Sequence, residues 1–423
     1  MANRKTPRSS RPAGTALVRV AGNSNPALPR IGKYEMTAEI GHGTRIKAFQ
    51  AFDPAMGRPV TLKILTDVAD TKMAERFRRD VSGVANAGTG SLVAVYELGE
   101  HVGLPFATFQ YLGDETLRLA IDSRRPLTLF QKVLAMWQIA EGLQAAYSAG
   151  LGYVGLRPSG VVLAERVAKI QDFGVVRLAG DGQDEEAFYR APEQLAGQFP
   201  PDSLCDIFAF GVVYYEFLMG SRPFSTERGV PNETGSSRNQ RPSIRERLPE
   251  CPEALERLVY RALETDRELR YQTWDDIQYD ADPILRDLKR SYTAGLLADV
   301  ARLMEAQDLD SAQSLVREIL ELDPDNPNAY RLRTELRGRI DRRAIEVRVE
   351  ALLRDADLEV AASRLGRSVE LLEAAARLDQ ASSEVKSRLE QTRARLAQSE
   401  RSSAGATTIM WLSMTISSAP IAR

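Results

Sequence analysis

Residues 170–193 read IQDFGVVRLAGDGQDEEAFYRAPE. Asp172-Phe173-Gly174 opens this stretch behind an apolar approach, and Ala191-Pro192-Glu193 closes it. Between Asp172 and Glu193 there is neither serine nor threonine, which leaves Tyr189 as the one hydroxyl that could accept a phosphate. Just upstream, GLGYVGLRPSGVVL (150–163) reads as a loop feeding a strand, with glycines and one proline punctuating an apolar run. It contains no carboxylate.

Working outward, short β-rich runs (KAFQAFD, PVTLKIL, LVAVYELGE, FATFQYL) alternate with turns from Tyr34 to about Tyr111, with one charged helical segment, TKMAERFRRDVSGVAN. From about Leu127 helical patterns dominate, as in FQKVLAMWQIAEGLQAAYSAG. The order is therefore a small mixed lobe, then a large helical one. Gly41 and Gly43 lie between the first strands, and Lys63 follows in VTLK twenty residues after Gly43.

In combination VTLKIL, LVAVYELGE, IQDFG, YRAPEQL and GSRPF resemble the protein kinase superfamily, closest in pattern to bacterial serine/threonine kinases, over residues 34 to about 288. The resemblance implies an α+β fold with a small lobe (34–111) and a large lobe (112–288). It also implies ATP and magnesium as cofactors. Gly41 and Gly43 then belong to the glycine-rich loop over the phosphates, with Ile46 where a third glycine is usual, and Lys63 is the phosphate-facing lysine. Asp80 takes the place of the glutamate that orients that lysine, one methylene shorter, and Glu75 stays open as another partner. Asp172 is the magnesium ligand and Phe173 the packing residue of the DFG motif. Glu193 with Arg270 matches a buried ion pair, and Asp206 matches the carboxylate that anchors the catalytic loop.

The loop at 150–163 departs from the pattern. Tyr153-Val154-Gly155 falls on HRD, Arg157 on the lysine two residues later, and Gly160 on the metal-binding asparagine. The proton acceptor and one metal ligand are thus missing, and loss of a general base costs about 10²–10⁴ in rate. Tyr153 can still fill the apolar column with Phe173. Glu186 stands where the family places an activation-segment threonine, which leaves two readings open: two separately solvated charges, or an Arg157–Glu186 ion pair across the loop mouth. The implied subtype is a pseudokinase that keeps part of the nucleotide side, with an active but atypical serine/threonine kinase as the alternative.

Beyond residue 288 the pattern is wholly helical. LLADVARLMEAQDLDSAQSLVREILELDPDNPNAYRLRTEL resembles a tetratricopeptide repeat, with small Ala312 between two helices and Pro324 closing the second. A related segment repeats the helix-then-LD pattern at Leu378, 56 residues after Leu322 (378 − 322), where a regular array would recur at about 34. A simple helical hairpin or short coiled coil stays open. Either reading makes residues 289–400 a binding region for a protein partner.

Composition bounds the rest. The 423 residues are 43% hydrophobic and 27% charged, the make-up of a globular protein of roughly two or three domains. A net charge of −2 gives no electrostatic ground for nucleic acid or an anionic membrane as main partner. Two cysteines and two histidines leave no zinc cluster and no disulfide framework, which fits a reducing, cytoplasmic compartment. Residues 1–33, rich in arginine and small residues, read as a disordered basic arm, with a targeting segment as second choice. The tail, 401–423, has an apolar run well short of the roughly twenty residues a spanning helix needs.

Overall fold

The computed structural model describes residues 30–42, 45–66, 71–152, 154–164, 167–173, 187–224 and 242–416. Its first part is an antiparallel sheet. Strands β1 (Arg30–Ile31), β2 (Tyr34–His42), β3 (Ile46–Asp53), β4 (Arg58–Leu65), β5 (Val95–His101) and β6 (Leu104–Gln110) lie in the order β1-β2-β3-β4-β6-β5, and helix α1 (Thr71–Asn86) connects β4 to β5. Tyr34, Phe49, Leu62 and Phe106 are among the residues of a small core on one face. Ile46, Leu65, Ala107 and Phe109 on the other face join the main core with Phe77 and Val81 of α1.

Two turns show how local chemistry sets the register. Between β3 and β4 the Asp53 carboxylate accepts the amides of Ala55 (3.0 Å) and Met56 (3.2 Å), and Gly57 closes the turn at φ 64°. Between β5 and β6 the two loop residues Val102 and Gly103 have φ of 53° and 78°, the pattern of a primed hairpin turn that favours Asn-Gly. A branched side chain is poorly suited to that conformation, and Val102 is 85% exposed. Val102→Asn is therefore expected to raise stability by about 1 kcal/mol in thermal unfolding. No gain would mean that the turn relaxes at no cost.

The large lobe begins with α2 (Leu117–Asp122), N-capped by Thr116, and α3 (Leu129–Ser148), started by a Thr128/Gln131 capping box. A 3₁₀ turn (Pro158–Gly160) leads into β7 (Val161–Ala164), which pairs antiparallel with β8 (Val167–Ile170). After α4 (Pro192–Leu195), helix α5 (Ser203–Met219) runs through the centre, buried at every position from Cys205 to Leu218 and ended by Gly220 at φ 69°. Helices α6 (Ile244–Arg247), α7 (Glu253–Ala262) and α8 (Trp274–Glu305) follow.

The chain divides into two compact units after Lys289, within α8. In the second, α9 (Leu309–Leu322) is N-capped by Asp308, and α10 (Pro327–Ala361) is capped by Asn326 with proline in its first turn. Helices α11 (Leu365–Leu378) and α12 (Ser383–Ile416) complete it. Ala312 is fully buried in a core with Val316, Ile319, Ala329 and Leu336, as a close helix contact requires. Helix α10 is 35 residues long, and this explains the 56-residue spacing read from the sequence: no turn interrupts it where a 34-residue repeat would need one. The tail left unassigned above continues α12 to Ile416. Among the described residues no helix is long and apolar enough to cross a membrane.

Candidate functional site

Side chains alternate along β4, so Val60, Leu62 and Ile64 enter the small core while Lys63 shares the opposite face with Leu65. Lys63 is 4% exposed, and its ammonium lies 5.6 Å from the centre of the Phe109 ring. Phe109 packs edge-on against Phe173 at 6.0 Å, and Phe173 is fully buried. The Lys63 ammonium donates to the Gln171 carbonyl at 3.2 Å and forms an ion pair with Oδ1 of Asp172.

A second cation reaches the same carboxylate. Arg157, at the N-terminal edge of the 3₁₀ turn and 7% exposed, places Nη2 3.0 Å from Oδ2 of Asp172 and donates from Nε to Ser159 Oγ at 2.8 Å. The backbone sets this approach: the Gly160 carbonyl accepts the amides of Gln171 (2.9 Å) and Asp172 (3.3 Å), tying the loop to the end of β8. Each oxygen of Asp172 thus carries its own protein cation. The Arg157 partner that the sequence offered, Glu186, lies outside the described residues, as do Tyr153 and Gly43; Gly41 pairs with Ala48 in the sheet.

On α1, Asp80 is buried beside Phe77 and Val81, with its carboxylate 3.8 Å from Nε of Arg76. Glu75 is on the exposed face, so Asp80 is the acid of the two on the inner side of the helix.

Asp206 is fully buried in α5 and accepts three consecutive amides, Val154 (2.8 Å), Gly155 (2.9 Å) and Leu156 (2.9 Å), together with the Tyr147 hydroxyl. Burial pushes its carboxyl above the ordinary value, and these hydrogen bonds oppose that rise. Gly155 bends the loop at φ 73°, a conformation in which an aspartate would be strained. Farther along, Arg270 holds Glu193 through two bonds, Nη1 to Oε1 at 2.8 Å and Nη2 to Oε2 at 3.2 Å.

Some residues of this region gave no signal in the sequence. Arg267 joins Glu193 (3.0 Å) to Asp202 (2.7 Å). Arg118 donates to Glu216 at 2.9 Å and to the Tyr189 hydroxyl at 3.2 Å. Tyr189 is 2% exposed with its hydroxyl on Glu216, so the candidate phosphate acceptor is turned into the interior. Only the fold brings these positions together; no spacing marks them.

Burial also pushes the thiols up, Cys205 to about 12 and Cys251 to about 11. Both therefore stay protonated at neutral pH, and both are buried. Titration of the native protein with a thiol reagent is expected to show slow labelling of both, with rapid labelling only after denaturation. Rapid reaction of either in the native state contradicts this.

Among the described residues, those around Asp172 do not fit a divalent metal ion. Asp172 has both oxygens engaged by cations, and Gly160 offers no side-chain oxygen where the family supplies an asparagine. A divalent ion on Asp172 would meet the like charge of both side chains, a repulsion that screening by bulk water does not remove at a buried site. Among the described residues no group of three acidic, histidine or cysteine side chains could hold a metal.

The family model described as the protein kinase domain matches residues 34–326. This chain belongs to the protein kinase family. The match extends past Lys289 into the helical unit. Among similar proteins, a probable serine/threonine-protein kinase of Streptomyces coelicolor is 30% identical over 289 residues, covering 64% of this chain and 42% of the relative. The serine/threonine-protein kinase PrkC of Bacillus subtilis is 26% identical over 259 residues, covering 59% of this chain and 40% of PrkC. This kinase-family chain therefore spans well under half the length of these relatives. The crystal structure of the Mycobacterium tuberculosis PknI kinase domain aligns with 62% of this chain and 99% of that one, at a TM-score of 0.46 and 22% identity.

Proposed function

We propose that this protein is a pseudokinase: it keeps a nucleotide-facing lysine, has lost phosphoryl transfer, and acts in the cytoplasm as a scaffold or switch through its helical unit. The observation that carries this reading is the loop at 150–163. No carboxylate stands there to take a proton from a substrate hydroxyl, and Gly155 occupies the place of the base. An active kinase would need that acceptor from elsewhere, and the carboxylate of the DFG motif, Asp172, is held between Lys63 and Arg157.

What supports retained nucleotide binding is the placement of Lys63, buried, paired with Asp172 and carried on the strand next to β3. Thermal unfolding with and without ATP tests it, since a ligand at 100 times its Kd stabilises by about 2.7 kcal/mol. The wild type is expected to shift and Lys63→Met to lose the shift. An equal shift in the mutant would remove Lys63 from the site. The packed helices of the second unit, with Ala312 at their contact, support a peptide- or protein-binding role.

A further inference from the structure

We propose that the Arg157 guanidinium takes the place of a divalent cation on Asp172, so that the nucleotide site holds a polyphosphate on protein cations alone. This rests on the nucleotide reading above and adds the form of the ligand: a nucleoside di- or triphosphate without metal.

Three observations converge on it. Asp172 is divided between two cations that arrive from opposite sides, Lys63 from the sheet and Arg157 from the loop of the large lobe. Arg157 is fixed there by Ser159 and by burial, so it is a built part of the site and not a surface side chain that happens to lie near. Finally, Gly160 puts no side-chain oxygen beside the Asp172 carboxylate. A Cβ added at Gly160 would lie 3.3 Å from Cβ of Asp172, a tight approach, and 3.7 Å from Cγ of Arg157, an ordinary contact, so a side chain there would press on the Asp172 side chain that the arginine holds. The position without a metal-ligand oxygen thus adjoins the carboxylate that the arginine occupies.

The chemistry suits phosphate. A guanidinium has five N–H donors, of which Ser159 and Asp172 take two among the described residues, and its planar fork matches phosphate oxygens. Lys63 and Arg157 together carry one positive charge more than Asp172 balances, which favours an anionic ligand over a further cation. The fork cannot reproduce the charge of a divalent ion at a transferring phosphoryl group, so binding is kept and transfer is not.

The test is thermal unfolding of the full chain titrated with ATP, once in excess EDTA and once in excess magnesium. The two apparent affinities are expected to agree to within about threefold, less than the worth of one phosphate contact. Arg157→Ala is expected to weaken binding in EDTA by at least about tenfold, the loss of one charge-assisted hydrogen bond. Arg157→Lys, which keeps the charge without the fork, should fall between. If Arg157→Ala does not fold, the wild-type comparison decides alone. Stabilisation by ATP only in magnesium overturns the inference and leaves the nucleotide reading standing. Stabilisation in neither condition overturns both. An Arg157→Ala variant that binds ATP in EDTA as tightly as the wild type also overturns it.

Discussion

Arg270→Ala is expected to lower the stability of the kinase unit by about 3–5 kcal/mol, the range for removing one partner of a buried ion pair. The Arg270 side chain is fully buried and Glu193 nearly so. Beyond its two bonds to Glu193, the guanidinium donates to the carbonyls of Leu204 (2.7 Å) and Glu264 (2.9 Å), so truncation leaves a buried carboxylate with less compensation and two carbonyls without this donor. The control is Arg267→Ala. Arg267 also touches Glu193 but is partly exposed, and ion pairs of that kind contribute about 0–1 kcal/mol. Urea unfolding of the two variants should separate them clearly. Equal losses would mean that Glu193 is held by the cluster as a whole and not by Arg270.

Asp206→Ala should cost about 3–5 kcal/mol, since it strands three buried amides and the Tyr147 hydroxyl, and each unsatisfied buried group costs about 1–3 kcal/mol before relaxation. The loss should extend beyond stability. The same carboxylate sets the path of residues 154–156, which leads directly to Arg157, so the variant should also bind ATP more weakly in the thermal-shift assay. Asp206→Asn keeps the volume but offers one acceptor oxygen in place of two, and is expected to fall between. A destabilised Asp206→Ala protein with unchanged ATP affinity would show that Arg157 is placed by Ser159 and Gly160 without help from α5.

Much of this architecture was readable from residues close together in the chain. The sheet strands show as β-rich runs with the period-two alternation that puts Lys63 opposite Leu62 and Ile64. IQDFG, APE and the distant Arg270 resemble kinase positions strongly enough to anticipate a fold that the family match then establishes. The partner of Arg157 was not readable. Sequence pattern offered Glu186, which lies outside the described residues; the contact with Asp172, fifteen residues away, arises because the β7–β8 hairpin folds the chain back until Gly160 accepts the amide of Asp172. The length of α10 was missed for a different reason. The repeat pattern implies a turn every few helical turns, and α10 runs on without one, with Gly338 tolerated inside it. The burial of Tyr189 depends on Arg118 and Glu216, on two other helices, and no local pattern marks such a meeting.

The most direct test of the central claim is phosphoryl transfer itself. Purified protein would be incubated with radiolabelled ATP in magnesium or manganese, with a general acceptor protein present, and compared with Lys63→Met prepared identically. The loss of the loop base at Gly155 and the occupation of Asp172 by Lys63 and Arg157 predict no label above that control, on the acceptor or on the chain itself. Label transferred by the wild type and abolished by Lys63→Met would contradict the account.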